Sequence, residues 1–238
     1  MLTRLVAAAA ALLLVAGCSG GGDGDSGGDP AALAQRLETA QQAIFDAEAL
    51  DISLSTKQVP DGITGLVSAT GYGYQGDDTR SAGFEGDVKV VSGGSQISAE
   101  IGSTGGKTIA KTSIAPVALE IDPATIGAPD PAELLGKKGE GVATILTETE
   151  KLSEGKKTRD GSTVLTTITG ELPGSVVKKF LPTALESGTF TVSYRLTDDD
   201  TLQDATIKGR FYEKSDSNVT YTLTLTPTAF DGDVSFPK

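Results

Sequence analysis

The chain contains no histidine, no tryptophan and a single cysteine in 238 residues. The lack of histidine removes Ser-His-Asp triads and Cys-His dyads. A lone cysteine removes intrachain disulfides and, with histidine gone, the usual zinc and haem ligand sets. Basic residues are few: 20 Lys plus Arg against 32 Asp plus Glu leave a net charge of −12, which repels nucleic acid instead of attracting it. Aromatics are few as well, 7 Phe and 5 Tyr, so the interior must be lined chiefly by Val, Ile, Leu, Ala and Thr. Nothing in the placement of Asp and Glu singles out a catalytic carboxylate pair. The inventory points away from an enzyme, and no cofactor or metal is expected.

The chain also lacks an apolar run long enough to span a bilayer. After Arg4, Leu5 to Ala16 is all Leu, Val and Ala, the length of a signal-peptide apolar region and short of the roughly 20 residues a span needs. It ends in Val15-Ala16-Gly17-Cys18, which resembles the lipobox of a bacterial lipoprotein. Residues 1–17 are therefore expected to be a lipoprotein signal peptide and Cys18 the lipid anchor, the alternative being an ordinary secretory peptide with a chance cysteine. Residues 18–29 are nearly all Gly, Ser and Asp after the cysteine and read as a flexible linker. The mature protein is expected on the extracytoplasmic face of the cell membrane, held by its lipid.

The remainder, 30–238, suits one domain. Asp29-Pro30 supplies an N-cap and a first-turn proline, and Leu33, Leu37, Ala40 and Ile44 follow at helical spacing, predicting a helix that ends near Glu48. The period then changes to two. Ile52, Leu54 and Thr56 alternate with polar neighbours, as do Phe84, Val88 and Val90, then Ile97, Ala99 and Ile101. Asp130-Pro131-Ala132-Glu133 has capping-box spacing and starts a second helical stretch, interrupted at Gly139 and Gly141 and resumed by Val142, Ile145, Leu146 and Thr149 to about Leu152. Strand periodicity returns at Val164 to Ile168, pauses at a short helix carrying Val176, Val177 and Phe180, and resumes through Phe190–Leu196, Ala205–Ile207 and Val219–Leu225. About ten short strands joined by hairpin-like turns predict one large antiparallel sheet. Asp198-Asp199-Asp200 lacks the ligand spacing of a calcium loop and reads as a solvated turn.

The ordered set of features is similar to the LppX/LprAFG family of lipid-carrying bacterial lipoproteins. The resemblance rests on the lipobox and Gly/Ser linker, on Gly86-Asp87-Val88-Lys89-Val90 leading to Gly93-Gly94-Ser95, and on Asp130-Pro131-Ala132-Glu133-Leu134-Leu135. It continues through Gly141-Val142-Ala143-Thr144-Ile145-Leu146 and Asp160-Gly161 to Ile168-Thr169-Gly170 and Tyr221-Thr222-Leu223-Thr224-Leu225. It departs where the family often has an aromatic mid-chain strand, since Gly105-Gly106-Lys107-Thr108-Ile109-Ala110 has no aromatic.

The resemblance implies an α+β fold: a single large curved antiparallel sheet, a half-barrel, with helices packed across its concave face. It also implies an apolar cavity for the acyl chains of lipids or glycolipids, carried within the cell envelope. Ile52, Leu54, Phe84, Val88, Val90 and Ile97 from strands, with Leu134, Ile145 and Leu146 from helices, are the expected cavity lining. An acyl-sized void left empty would cost many kcal/mol at ~24 cal/mol per Å³, so an unliganded form is expected to shrink, with the Gly139–Gly141 joint as a candidate hinge, the alternative being that these glycines only separate two helices. The expected partners are an acylated lipid or glycolipid and the membrane, with an envelope transporter as a candidate, and the protein is expected to be a monomer. A second reading stays open: a non-transporting surface lipoprotein that acts as a protein-interaction module.

Overall fold

The computed structural model describes residues 28–137, 139–229 and 232–238. The expected signal peptide, Cys18 and most of the expected linker lie outside the described residues.

Helix α1, Pro30–Phe45, begins where Asp29 accepts a hydrogen bond from the Ala31 amide at 3.1 Å, and it buries Leu33, Leu37, Ala40 and Ile44 on one face. It stops three residues before the expected Glu48, because Ala49 already belongs to the first strand. Six strands follow: β1 Ala49–Thr56, β2 Gly65–Tyr74, β3 Gly83–Ser92, β4 Ser95–Thr104, β5 Lys107–Thr112 and β6 Ala115–Ile121. Five more close the chain: β7 Glu150–Asp160, β8 Thr163–Pro173, β9 Thr189–Leu196, β10 Leu202–Gly209 and β11 Val219–Thr228.

All eleven form one open antiparallel sheet in the order β6-β5-β4-β3-β2-β1-β11-β10-β9-β8-β7. Each half is a meander of neighbours in sequence, and the halves join through the β1–β11 ladder, where Leu54 lies opposite Leu223 and Ile52 opposite Leu225. This order has a consequence for the chain between the halves. After β6 it is at one edge of the sheet, and β7 is the other edge, so residues 122–149 must cross the whole width. They cross over a face and not around it, since Pro123, Ala128, Leu134, Leu135, Val142, Ile145 and Leu146 are all buried.

The crossover is where local periodicity misleads. The stretch beginning at Asp130 gives only a short helix α2, Pro131–Leu135, then a 3-10 turn at Val142–Leu146; a second 3-10 turn at Pro123–Ile126 precedes it. Helical spacing does not continue to Leu152, because β7 starts at Glu150. Helix α1 lies on the Val142–Leu146 turn and on β7 and β11. Gln41 pins the two together, donating from Nε2 to the Ala143 carbonyl at 3.0 Å and to Thr147 Oγ1 at 2.9 Å. The third helix, α3, Gly174–Phe180, buries Val176, Val177 and Phe180.

The Asp198–Asp200 turn is solvated at Asp198 and Asp199, as expected, while Asp200 is half-buried against α1. Arg36 of α1 pairs with Asp200 at 2.5 Å and donates to the Thr197 carbonyl at 3.0 Å. The turn between β9 and β10 therefore holds the exposed side of α1.

Candidate functional site

The inner face of the sheet is filled in two different ways. Beneath α1 and α3, aromatic rings from β9 and β11, joined by Phe211 from beyond β10, pack solidly. Phe190 meets Phe211 edge-on at 4.9 Å between centroids, and Phe211 meets Tyr221 at 4.8 Å. Rings of this size fill space that aliphatic side chains cannot, and their polar ends find partners. The Tyr221 hydroxyl donates to the Leu66 carbonyl at 2.7 Å, with Tyr212 Oη 2.8 Å away. The Tyr194 hydroxyl donates to the Ile145 carbonyl at 2.9 Å, tying β9 to the crossover. Burial pushes the hydroxyl pKa of Tyr194 and of Tyr221 above the ordinary tyrosine value, so both remain donors across the neutral range.

The other half, formed by β1–β6, carries one aromatic on this face, Phe84. Its ring needs the pair Gly71 and Gly86, which stand opposite each other in the β2–β3 ladder; a Cβ on Gly71 would lie 2.6 Å from the tip of the Phe84 ring. Apart from Thr108, the rest of this wall is aliphatic. Ile52 and Leu54 from β1, Leu66 and Ala69 from β2, Val88 and Val90 from β3 and Ile101 from β4 face a slot. Over it lies the crossover segment from Ile121 to Leu134, contributing Ile121, Pro123, Ile126, Ala128, Pro129, Pro131 and Leu134. Two Asp-Pro pairs shape this cover. Asp122 caps the Pro123–Ile126 turn through the Ala124 amide at 2.9 Å, and Asp130 caps α2 through the Ala132 amide at 2.9 Å. Between them Gly127, at a φ of 67°, closes the first turn.

The slot has a volume of about 40 Å³. That is room for about three water molecules and not for an acyl chain. As it stands the cover is down on the sheet. Two polar contacts hold it there besides its apolar packing: Ser103 Oγ donates to Asp130 Oδ1 at 2.9 Å, and the Gly76 amide donates to the Gly136 carbonyl at 2.8 Å.

Of the residues expected from the sequence, Ile52, Leu54, Phe84, Val88, Val90 and Leu134 are brought together around this slot. Ile97 packs against the core, half-buried and outside the lining. Ile145 and Leu146 lie elsewhere too: both are buried in the 3-10 turn beneath α1, on the solidly packed side. Helical spacing placed them with Leu134, but the glycines between them break the helix and turn the chain to another part of the sheet. The residues that sequence reasoning missed are mainly the prolines and small residues of the cover, for which the repeated Asp-Pro is the one available signal. One polar residue, Thr108, also lines the slot.

Comparison with known proteins agrees with this architecture. The sequence profile of the LppX_LprAFG lipoprotein family matches residues 29–235. Among solved structures, LprF from Mycobacterium bovis superposes with a TM-score of 0.67 at 14% identity, covering 90% of this chain and 98% of that one. The lipoprotein LppX of Mycobacterium tuberculosis superposes with a TM-score of 0.56 at 16% identity, over 83% of this chain and 95% of its own. No curated protein shows a significant sequence match. With a fold shared along almost its whole length and a family profile matched from the end of the linker to the last residues, the chain belongs to the LppX_LprAFG lipoprotein family.

Proposed function

We propose that this protein is a membrane-tethered, extracytoplasmic lipoprotein that takes the acyl chains of lipids or glycolipids into the slot beneath the Ile121–Leu134 cover and carries them within the envelope. One observation carries the reading: a single sheet is packed solid with aromatic rings over one half, and over the other keeps a slot whose lining is aliphatic apart from Phe84 and Thr108. A protein with no cargo gains nothing by leaving half its interior under a separable cover.

The energetics favour such a device. A lipid with two sixteen-carbon chains crossing water exposes roughly 30 methylenes, about 25 kcal/mol at ~0.8 each. A slot that merely matches the bilayer removes most of that barrier, because both states bury the same chains. No catalytic group is needed. Cargo enters by lifting the cover from β2–β5; the ends of the cover stay fixed by β6 and by the Val142–Leu146 turn under α1. Lipidation at Cys18 keeps the slot near its source, because one acyl chain holds a protein only marginally and two or more hold it firmly.

Protein purified from its own host, extracted with organic solvent and analysed by native mass spectrometry, is expected to carry acylated lipid at about one per chain. Lipid-free protein that also takes nothing from lipid vesicles would overturn the reading. One observation favours the protein-interaction alternative: Ile114 is 77% exposed and Val117 64% on the hairpin that ends the sheet at β6. A protein partner captured without lipid and lost in Val117→Lys would support it.

A further inference from the structure

Four large apolar side chains stand exposed among the described residues, and three of them share one hairpin: Ile114 at 77%, Val117 at 64% and Leu119 at 57%. The hairpin joins β5 to β6, at the free edge of the half-sheet that carries the slot. Leu119 stands opposite Ala110, two residues short of Ile121, which stands opposite Thr108 and lines the slot. Side chains two apart on a strand share a face, so Leu119 carries the slot wall on to the edge of the sheet and into the open. Val117 and Ile114 continue the apolar strip to the tip. In the other direction the chain passes from Ile121 straight to Asp122, which caps the first turn of the cover. Apolar strip, slot wall and root of the cover are one continuous stretch of chain.

The chemistry of the strip favours lipid over protein. From Ser113 to Leu119 there is no charged residue, in a chain of which 22% is charged, so entering an apolar layer leaves no ion to desolvate. The charges just behind the tip are matched: Lys107 pairs with Glu120 at 3.5 Å, and Lys111 stands opposite Glu100 in the β4–β5 ladder. A stable protein interface takes about 20 residues or more from each side, whereas this patch offers three large side chains. A bilayer asks for neither a set area nor a matching shape. A second copy adding a strand to β6 meets two obstacles. The β5–β6 register shifts between Ala110 and Thr112, and Pro116 has no amide hydrogen to give.

We propose that the β5–β6 hairpin dips Ile114, Val117 and Leu119 into the surface of a lipid bilayer and so seats the edge of the slot on the membrane that supplies or receives its cargo. This contact is separate from the anchor at Cys18. In making the bilayer the source of cargo the inference rests on the carrier reading; the contact itself does not.

The chain has no tryptophan, so one placed at the tip reports its own surroundings. Full-length lipidated protein carrying Ile114→Trp is reconstituted in phosphatidylcholine vesicles, with and without phosphatidylcholine brominated near the headgroup end of its chains. Interfacial elements reach a depth of about 5–10 Å, and brominated lipid is expected to quench this tryptophan about twofold or more. Lys157→Trp, exposed on β7 at the opposite edge of the sheet, should stay unquenched. Adding Val117→Lys and Leu119→Lys should remove most of the quenching, since a charge resists leaving water. The urea midpoint should hardly move, because both side chains are exposed. Quenching that persists with Val88→Phe, which fills the slot, comes from the bilayer and not from cargo. Quenching lost in Val88→Phe, or equal in Ile114→Trp and Lys157→Trp, overturns the inference. So does a protein partner or second copy that binds the hairpin without lipid and is lost in Val117→Lys. Tip quenching in a protein that never takes up lipid leaves the contact standing and overturns the carrier reading.

Discussion

Gly71 stands directly opposite Gly86 in the β2–β3 ladder, and the ring of Phe84 occupies the ground their missing side chains leave. A Cβ at Gly71 would lie 2.2 Å from the Glu85 carbonyl oxygen as well as against that ring. Backbone cannot yield as a flexible side chain can. Gly71→Ala is expected to lose about 1–3 kcal/mol of stability, the usual cost of overpacking, measured by urea denaturation. A loss under 0.5 kcal/mol would mean that the ladder has room to spare.

Filling the slot should separate stability from uptake. Val88 faces the cover from the middle of β3. Val88→Phe is expected to change stability by no more than about 3 kcal/mol while reducing uptake of vesicle lipid by at least tenfold. Undiminished uptake in a folded variant would place the cargo elsewhere.

The buried tyrosines make stability depend on alkaline pH. Burial raises the pKa of Tyr194, Tyr212 and Tyr221, and the neighbouring Tyr212 raises that of Tyr221 further. A tyrosine of the unfolded chain ionises near pH ~10. Groups whose folded value is raised contribute their full stability below the unfolded value and lose it as pH climbs from there toward the folded one. Urea midpoints should hold steady from pH 7 to 9 and fall beyond about pH 10. Tyr221→Phe should cost about 1–3 kcal/mol by leaving the Leu66 carbonyl unpaired, and it should blunt that fall.

The anchor is tested apart from the fold. Wild type grown with radiolabelled palmitate is expected to take up label, and Cys18→Ser none. Label retained by the variant would move the acylation site or remove it from this reading altogether.

The legible part of this protein was its alternation. Phe190 to Leu196 and Val219 to Leu225 form strands over almost the residues that their period of two marks out, because each strand has one face against the core. Where a strand has no such face the signal fails. β7 is an edge strand with most of its side chains exposed, and its first residues carry the tail of a false helical pattern. β2 keeps much of its length half-buried and has glycines at 65, 71 and 73, which interrupt any alternation.

The candidate site divides in the same way. Ile52, Leu54, Val88 and Val90 could be named from the sequence as facing one way, and they do face the slot. Ile145 and Leu146 carry the same kind of signal, yet they lie under α1, because the direction of a chain past three glycines is not written in its periodicity. Thr108 carried no signal: it lines the slot only because the pairing of β5 with β4 lets its hydroxyl donate to Ser103, away from the apolar lining.

By itself the sequence determined the tether motif, the caps of the helices and the side of each well-formed strand that turns from water, since all of these depend on residues within a few positions of one another. The tertiary structure alone decided that one half of the sheet is filled with rings while the other is covered by a proline-shaped crossover with a slot beneath. The volume left between side chains depends on what packs opposite them, and those partners, as with Tyr221 and Leu66, are separated by most of the chain.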